Sequence, residues 1–389
     1  MSCWRTLLAF SLGAATMWCV QVSTREAQAG HRSTLGAEGF GKVIRTVLER
    51  YVDPVEPGQV LAQSLKQVVG GLDRHSHYLT AEERQQLRQR SRGGTTGMMV
   101  EFHRAEAGKR QPARLEVAAV LPGSPAEKIG LRPGDSILRI RGQDVAFMMS
   151  RAEVDVLLAG ADGEVVDLVV QRRGDPGPTA QRLVLSGQPL PVVSSELVEH
   201  AGRKYAHVRI RAFRAGVADS VRGQLKELRR SAGAAGIAGV VLDLRGNPGG
   251  DVSEAVLIAD TFVSEGVLVR TRGRGGQILR EERATAAATD DITPVVVLQD
   301  WRSASASELL AVALQDHGRA KIVGERSYGK GTVQDVIGLD DGSVLTLTIA
   351  RYFSPKDRLI DGVGVEPDVP VADMEAKPEA ALLAALASF

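Results

Sequence analysis

The chain has 389 residues, 43% hydrophobic and 24% charged, a globular composition too long for one ordinary core. Its 48 Lys and Arg nearly cancel its 47 Asp and Glu, which excludes a strongly basic nucleic-acid surface and an acidic solvating tail. Forty-two glycines call for many tight turns and close backbone approaches.

The first stretch reads as an export signal. Arg5 supplies a positive start, and residues 7–22 are mostly apolar but short of the ~20 residues of a membrane span. Ala27-Gln28-Ala29 then offers a small-x-small cleavage site before Gly30. This predicts a signal peptide over 1–29 and a destination in the periplasm or cell envelope. Left uncut, the same segment would anchor the chain to a membrane. Cys3 and Cys19 both lie inside it, and Cys19 lacks the small residues that a lipoprotein site wants before it. A cleaved chain therefore has no disulfide, no thiolate chemistry and no cysteine zinc site.

Residues 36–92 read as helical, with Phe40, Val43, Ile44, Val47 and Leu48 at helical spacing. Asp53-Pro54 and Glu56-Pro57-Gly58 interrupt the pattern, and further helices are expected at 60–69 and 80–90. Thr80-Ala81-Glu82-Glu83 has the spacing of a capping box. Leu72-Asp73-Arg74-His75-Ser76-His77 reads as a helix-ending turn packed on a catalytic domain rather than as a metal site.

After Gly93-Gly94 the pattern turns to strands, at 96–102, 115–120, 137–140, 165–171 and 182–185, with a short helix inside 122–135. From 192 onward strands and helices alternate. Strands are expected at 204–210, 240–244, 294–299 and 321–324, and helices at 217–232, 251–263 and 305–317. Such alternation favours an α/β fold with a largely parallel sheet and covering helices.

The chemistry gathers at three strand ends. Asp300-Trp301-Arg302-Ser303-Ala304-Ser305-Ala306-Ser307-Glu308 follows a buried strand and opens a helix. A hydroxyl there sits beside free N–H groups and the positive end of the helix dipole, which suits an oxyanion. Ser305-x-x-Glu308 is also a capping box, and such serines are often only caps. Lys330 in Tyr328-Gly329-Lys330-Gly331-Thr332-Val333-Gln334 follows the next strand. A lysine kept poorly solvated loses its preference for charge and its neutral amine becomes a base. Gln334, four residues on, would share its face in an extended segment and could orient it. Leu242-Asp243-Leu244-Arg245-Gly246-Asn247-Pro248-Gly249-Gly250 joins a third strand to a helix. Its glycines could donate to an oxyanion together with the Ala306 N–H, while Asp243 and Arg245 read as a structural ion pair.

Two other motifs overlap the lysine. Gly324-x-x-x-x-Gly329-Lys330 imitates a phosphate-binding loop, but Gly331 stands where Ser or Thr should hold magnesium, and a strand follows instead of a helix. Ser327-x-x-Lys330 imitates the nucleophile of penicillin-binding enzymes, but Gly329 and Gly331 oppose the helix that pattern needs. There is no H-E-x-x-H and no G-x-S-x-G.

From about Gly39 to Val371 the chain resembles the carboxyl-terminal processing proteases, also called tail-specific proteases. The resemblance rests on Tyr51-Val52-Asp53, Leu72 to Ser76, Gly123-Ser124-Pro125-Ala126, Leu131-Arg132-Pro133-Gly134-Asp135, Leu242 to Gly250, Ser303 to Glu308, Gly329 to Gln334 and Gly362 to Val369. It implies Ser305 as nucleophile, Lys330 as base, Gln334 as its orienter, and Ala306 with one of Gly249 or Gly250, Gly250 before Gly249, as the oxyanion hole. It implies a crotonase-like α/β core, an inserted β-rich PDZ domain that captures the substrate tail, and an N-terminal helical region. The chain departs from the family at Asp300 and Arg302, where Asn and Gly are usual. It departs again at the PDZ carboxylate-binding loop, Gly97-Met98-Met99-Val100, which usually carries two glycines.

The expected division is 1–29 signal, 30–92 helical region, 93–189 PDZ domain, 190–375 protease core and 376–389 helical tail. The expected activity is an exported serine endopeptidase acting near the C-termini of polypeptides, with no cofactor, no metal and no nucleic-acid partner. A homodimer is the assembly to test. The competing readings are a catalytically inactive PDZ-bearing scaffold and a carrier of hydrophobic ligands on the same fold.

Overall fold

A computed structural model describes residues 36–90, 93–103, 112–121, 123–148, 150–188, 192–286, 289–372, 374 and 377–389. The signal-peptide reading, 1–29, lies outside the described residues. The chain divides into two units at Gln63/Ser64.

The early helices are α1 (Ala37–Arg50), α2 (Pro57–Gly70) and α3 (Ala81–Arg90), with a short strand β1 (His77–Leu79) before α3. The capping box expected at Thr80 is made in both directions. Glu83 N–H donates to Thr80 Oγ1 at 3.2 Å, and Thr80 N–H donates to Glu83 Oε2 at 2.9 Å.

An antiparallel sheet follows in spatial order β2 (Met98–His103), β3 (Arg114–Val120), β4 (Ser136–Ile140), β5 (Val165–Gln171) and β6 (Thr179–Val184). Leu115, Val117 and Ala119 on β3 are buried, as are Val166, Leu168 and Val170 on β5, the alternation of a sheet with one covered face. A four-residue helix α4 (Pro125–Lys128) and the longer α5 (Arg151–Leu158) belong to this unit, and Ala126, Val154 and Leu157 join its core.

The second sheet has six strands in the order β7 (Val193–His200), β8 (Arg203–Ile210), β9 (Val240–Asp243), β12 (Val295–Gln299), β13 (Ala320–Gly324) and β16 (Val369–Pro370). All its pairings are parallel except β7 with β8. Val240 to Asp243 and Val295 to Gln299 are buried throughout, because helices α6 (Val217–Ala232), α7 (Val252–Phe262) and α8 (Ala306–Asp316) cover one face of the sheet. Helix α9 (Pro378–Leu386) places Ala381, Ala385 and Leu386 against the other face.

A third sheet sets β15 (Val344–Phe353) between β14 (Thr332–Gly338) on one edge and β1 and β10 (Val267–Gly273) on the other, with β11 (Ile278–Arg283) outside β10. Strands β1, β7, β10, β11 and β15 have no counterpart in the sequence reading. Ile278 to Arg283 carries four charged residues in six, so no apolar alternation marks it, and its partners come from distant sequence. Glu254 reaches away from its own helix and accepts from Gly216 N–H at 2.8 Å and Ala218 N–H at 2.7 Å, at the start of α6. No helix of the described residues is long and apolar enough to cross a membrane.

Candidate active site

Strand β12 ends at Gln299, and a short turn carries the chain to Ser305, the residue before the first turn of α8. Ser305 has φ +56° and ψ −118°, a left-handed backbone that costs a non-glycine residue about 1–3 kcal/mol. The strain is held in place by its own helix: Ser305 N–H donates to Glu308 Oε2 at 2.8 Å. Next to it, the Ala306 N–H opens the helix and has no intrahelical acceptor.

Glu308 does more than cap. Its side chain is fully buried and receives four donors: Ser305 N–H, Lys330 N–H at 2.8 Å, Gly329 N–H at 2.7 Å and Ser327 Oγ at 2.5 Å. The carboxylate thus ties the loop after β13 to the N-terminus of α8, and so brings Lys330 to Ser305. Burial pushes the Glu308 carboxyl up, against the pull of those donors. Ser327 in turn accepts from Val365 N–H at 2.7 Å, which anchors the loop to the Gly362 to Val369 stretch. Gly331 lets this loop pack closely: a Cβ there would lie 2.4 Å from Asp361 N.

The Lys330 amine is held below the ordinary lysine range, first by burial and then by the Arg151 and Arg74 cations, with Glu101 and Glu308 opposing. That is the state a basic amine needs. Among the described residues no hydrogen bond joins Ser305 Oγ to Lys330 Nζ; the contact made is through the backbone of both and Glu308. Gln334, on β14, donates through Nε2 to Thr332 Oγ1 at 2.9 Å and Thr348 Oγ1 at 3.2 Å, and its carbonyl oxygen has no hydrogen bond among the described residues.

The first glycine after Pro248 meets the serine directly. A Cβ on Gly249 would stand 2.7 Å from Ala304 O, 2.8 Å from Ser305 Cβ and 3.0 Å from Ala306 N. The Gly249 N–H donates to Asn247 Oδ1 at 2.9 Å, so among the described residues the donor of the pair left without a partner is Gly250. Asp243 and Arg245 form the expected ion pair, with Arg245 Nη2 2.6 Å from Asp243 Oδ2, and His207 Nε2 lies 3.1 Å from the same oxygen.

A cleft of about 350 Å³ contains Lys330, Gln334, Ala304 and Pro248 on one side and Met99, Val100, Glu101 and Phe102 of β2 on the other. Gly97 N–H and Met98 N–H donate to the hydroxyls of Thr95 and Thr96 at 3.1 and 3.3 Å. Val100 O accepts from Arg151 Nη1. The two family departures answer each other: Arg302 Nη2 lies 3.0 Å from Asp300 Oδ2, and its guanidinium stacks on Trp301 at 5.5 Å.

The turn at Asp73 joins the cleft as well. Asp73 accepts from His75 N–H at 2.7 Å, Ser76 N–H at 2.8 Å and Thr348 Oγ1 at 3.1 Å, and Thr348 is the partner of Gln334. Sequence reasoning found Glu308 only as a cap, placed Asp73 in a turn packed on the catalytic domain without a role, and missed Thr348. The S-x-x-E spacing was the available signal for the first, the Leu72 to Ser76 motif marked the second, and nothing local marks Thr348.

The sequence profile of peptidase family S41 matches residues 204–371, and that of the PDZ domain matches 116–172. The carboxy-terminal-processing protease of Bartonella bacilliformis is 30% identical over 85% of this chain and 74% of its own length. The chloroplastic carboxyl-terminal-processing peptidase 2 of Arabidopsis thaliana is 32% identical over 86% of this chain, which spans 65% of that relative. The solved photosystem II D1 C-terminal processing protease superposes with a TM-score of 0.68 at 29% identity, covering 85% of this chain and 92% of that one. The chain therefore belongs to the carboxyl-terminal-processing proteases, serine-type peptidases of family S41 that carry a PDZ domain.

Proposed function

We propose that this chain is an exported endopeptidase that cleaves polypeptides near their C-termini through a Ser305–Lys330 dyad. The observation that carries the reading is Glu308, whose one carboxylate receives the N–H of both residues. Neutral Lys330 takes the Ser305 proton as Oγ attacks the peptide carbonyl. The N–H groups of Ala306 and Gly250 receive the oxyanion. The lysine ammonium then protonates the leaving amine, and water, deprotonated in the same way, releases the acyl group. Gln334 positions the lysine.

The PDZ strand lining the cleft supports capture of a substrate tail beside the scissile bond, with Gly97, Met98, Met99 and Val100 as the binding segment. The parallel sheet with its covering helices supports a crotonase-like core over 190–375, preceded by a helical region at 30–92 and the PDZ domain at 93–189, and followed by a tail at 376–389. Export to the periplasm or cell envelope rests on the signal read at 1–29.

The test is hydrolysis of an unfolded protein by purified Ser305→Ala and Lys330→Ala chains. Both should lose activity while melting at the wild-type temperature. A Ser305→Ala chain that cleaves at the normal rate would remove Ser305 as nucleophile.

A further inference from the structure

Among the described residues, the His75 ring is the one polar group of the cleft whose buried nitrogen is left over. Its Nε2 is shielded from solvent and has no hydrogen-bond partner among the described residues, yet His75 lines the same cleft as Lys330 and Gln334. Burying a ring nitrogen without a partner is unfavourable, so a partner that arrives during turnover is the economical account. The turn that presents it is built with care. Asp73 receives His75 N–H and Ser76 N–H, Ser76 Oγ donates to Asp73 Oδ2 at 2.9 Å, and Thr348 N–H donates to Ser76 Oγ at 3.0 Å. Thr348 Oγ1 then links Asp73 to Gln334 Nε2. A surface turn that only ended a helix would not need to be fastened to the residue that positions the base.

We propose that His75 is a second positioning residue for Lys330, its Nε2 lone pair accepting a hydrogen bond from the lysine ammonium formed when that amine takes the Ser305 proton. The inference rests on the Ser305–Lys330 dyad. No proton passes to the ring: the Ser305 proton goes to Nζ, the Oγ–carbonyl bond forms, and the carbonyl pair moves to oxygen. His75 holds the new ammonium in place until it protonates the leaving amine.

The charge environment agrees. His75 is pushed down to about 4, first by burial and then by the Lys330 and Arg74 cations, with Asp73 and Asp361 opposing. It is neutral at working pH and has a lone pair to offer. Lys330 faces Arg74 from the same turn, Arg151 from α5, Glu101 from β2 and Glu308 from α8. None of these is a neutral acceptor, and each carboxylate has partners of its own.

The experiment measures kcat and KM against pH for the full chain on a fluorogenic peptide, with His75→Phe, His75→Gln, Lys330→Ala and wild type. An acceptor that favours the ammonium raises the lysine pKa, so its loss lowers it. His75→Phe should move the acid limb of kcat down by about one pH unit and reduce kcat about tenfold, with KM unchanged. His75→Gln, whose Oε1 is again an acceptor, should return the limb toward wild type. Because the limb position does not depend on how much enzyme is folded, a partly unfolded His75→Phe still reports it. A limb that stays in place, or a rise in KM with kcat intact, overturns the role of His75 while leaving the dyad. Lys330→Ala at the wild-type rate overturns the dyad and, with it, this role.

Discussion

The backbone N–H groups of Ser305 and Lys330 donate to the same atom, Oε2 of Glu308, each at 2.8 Å. Their nitrogens can therefore be no further apart than those two bonds laid end to end, although 25 positions separate them in the chain. One carboxylate thus ties the first turn of α8 to the loop after β13.

Glu308→Gln puts an NH2 group among four donors. It should lower stability by about 3 kcal/mol and kcat by roughly 100-fold, because misplacing a base relative to its nucleophile is costly. Chemical denaturation and steady-state rates check the two effects separately. A variant with wild-type kcat would mean that the shared carboxylate does not set the dyad.

Arg74 is one of the cations that keep the Lys330 amine low, after burial and Arg151. Replacing it by Gln favours the ammonium, raises the lysine pKa and leaves less neutral base at a given pH. The acid limb of kcat should move to higher pH, by about half a unit to one unit. This is opposite in sign to the shift expected for His75→Phe, so the two profiles cannot share one trivial cause.

Gly249 and Gly250 should fail differently. A methyl on Gly249 meets Ser305 Cβ and Ala306 N, at the reacting centre. A methyl on Gly250 would lie 2.0 Å from Phe213 O, in the bridge that supports the loop. Gly249→Ala should lose activity by roughly 100-fold and lose stability too, because its φ is +99° and the methyl meets Ala304 O at 2.7 Å, though the overlap is smaller than at Gly250. Gly250→Ala should lower the melting temperature as well, by several degrees for a loss of about 2 kcal/mol. Circular dichroism melts beside peptide hydrolysis read the two effects, and wild-type activity in Gly249→Ala would count against this loop lining the reacting centre.

Asp300 and Arg302 should act as a unit. With the Asp300 side chain only 4% exposed, Arg302→Gly strips its cation and should cost about 3 kcal/mol. The Asp300→Asn/Arg302→Gly double variant removes the charge too and should recover most of that. Urea unfolding of both chains reads the coupling; equal losses would mean that the pair is incidental.

Local spacing made much of this protein legible. Apolar runs placed β9 and β12, the helical periodicity of 217–232 matched α6, and small residues around Ser305 with glycines around Lys330 marked the chemistry before any contact was known. These signals are carried by residues adjacent in the chain. The β10–β11 hairpin and β15 were not legible, since their stability comes from cross-strand partners, and a pattern such as Ile278 to Arg283 is ambiguous until those partners are in place. The left-handed Ser305, the His75 nitrogen with no partner among the described residues and the link from Asp73 through Thr348 to Gln334 belong to the tertiary structure alone. Sequence names the groups able to react, because reactivity begins with residue type; folding decides which of them meet, because hydrogen bonds and burial act through space and take no account of position along the chain.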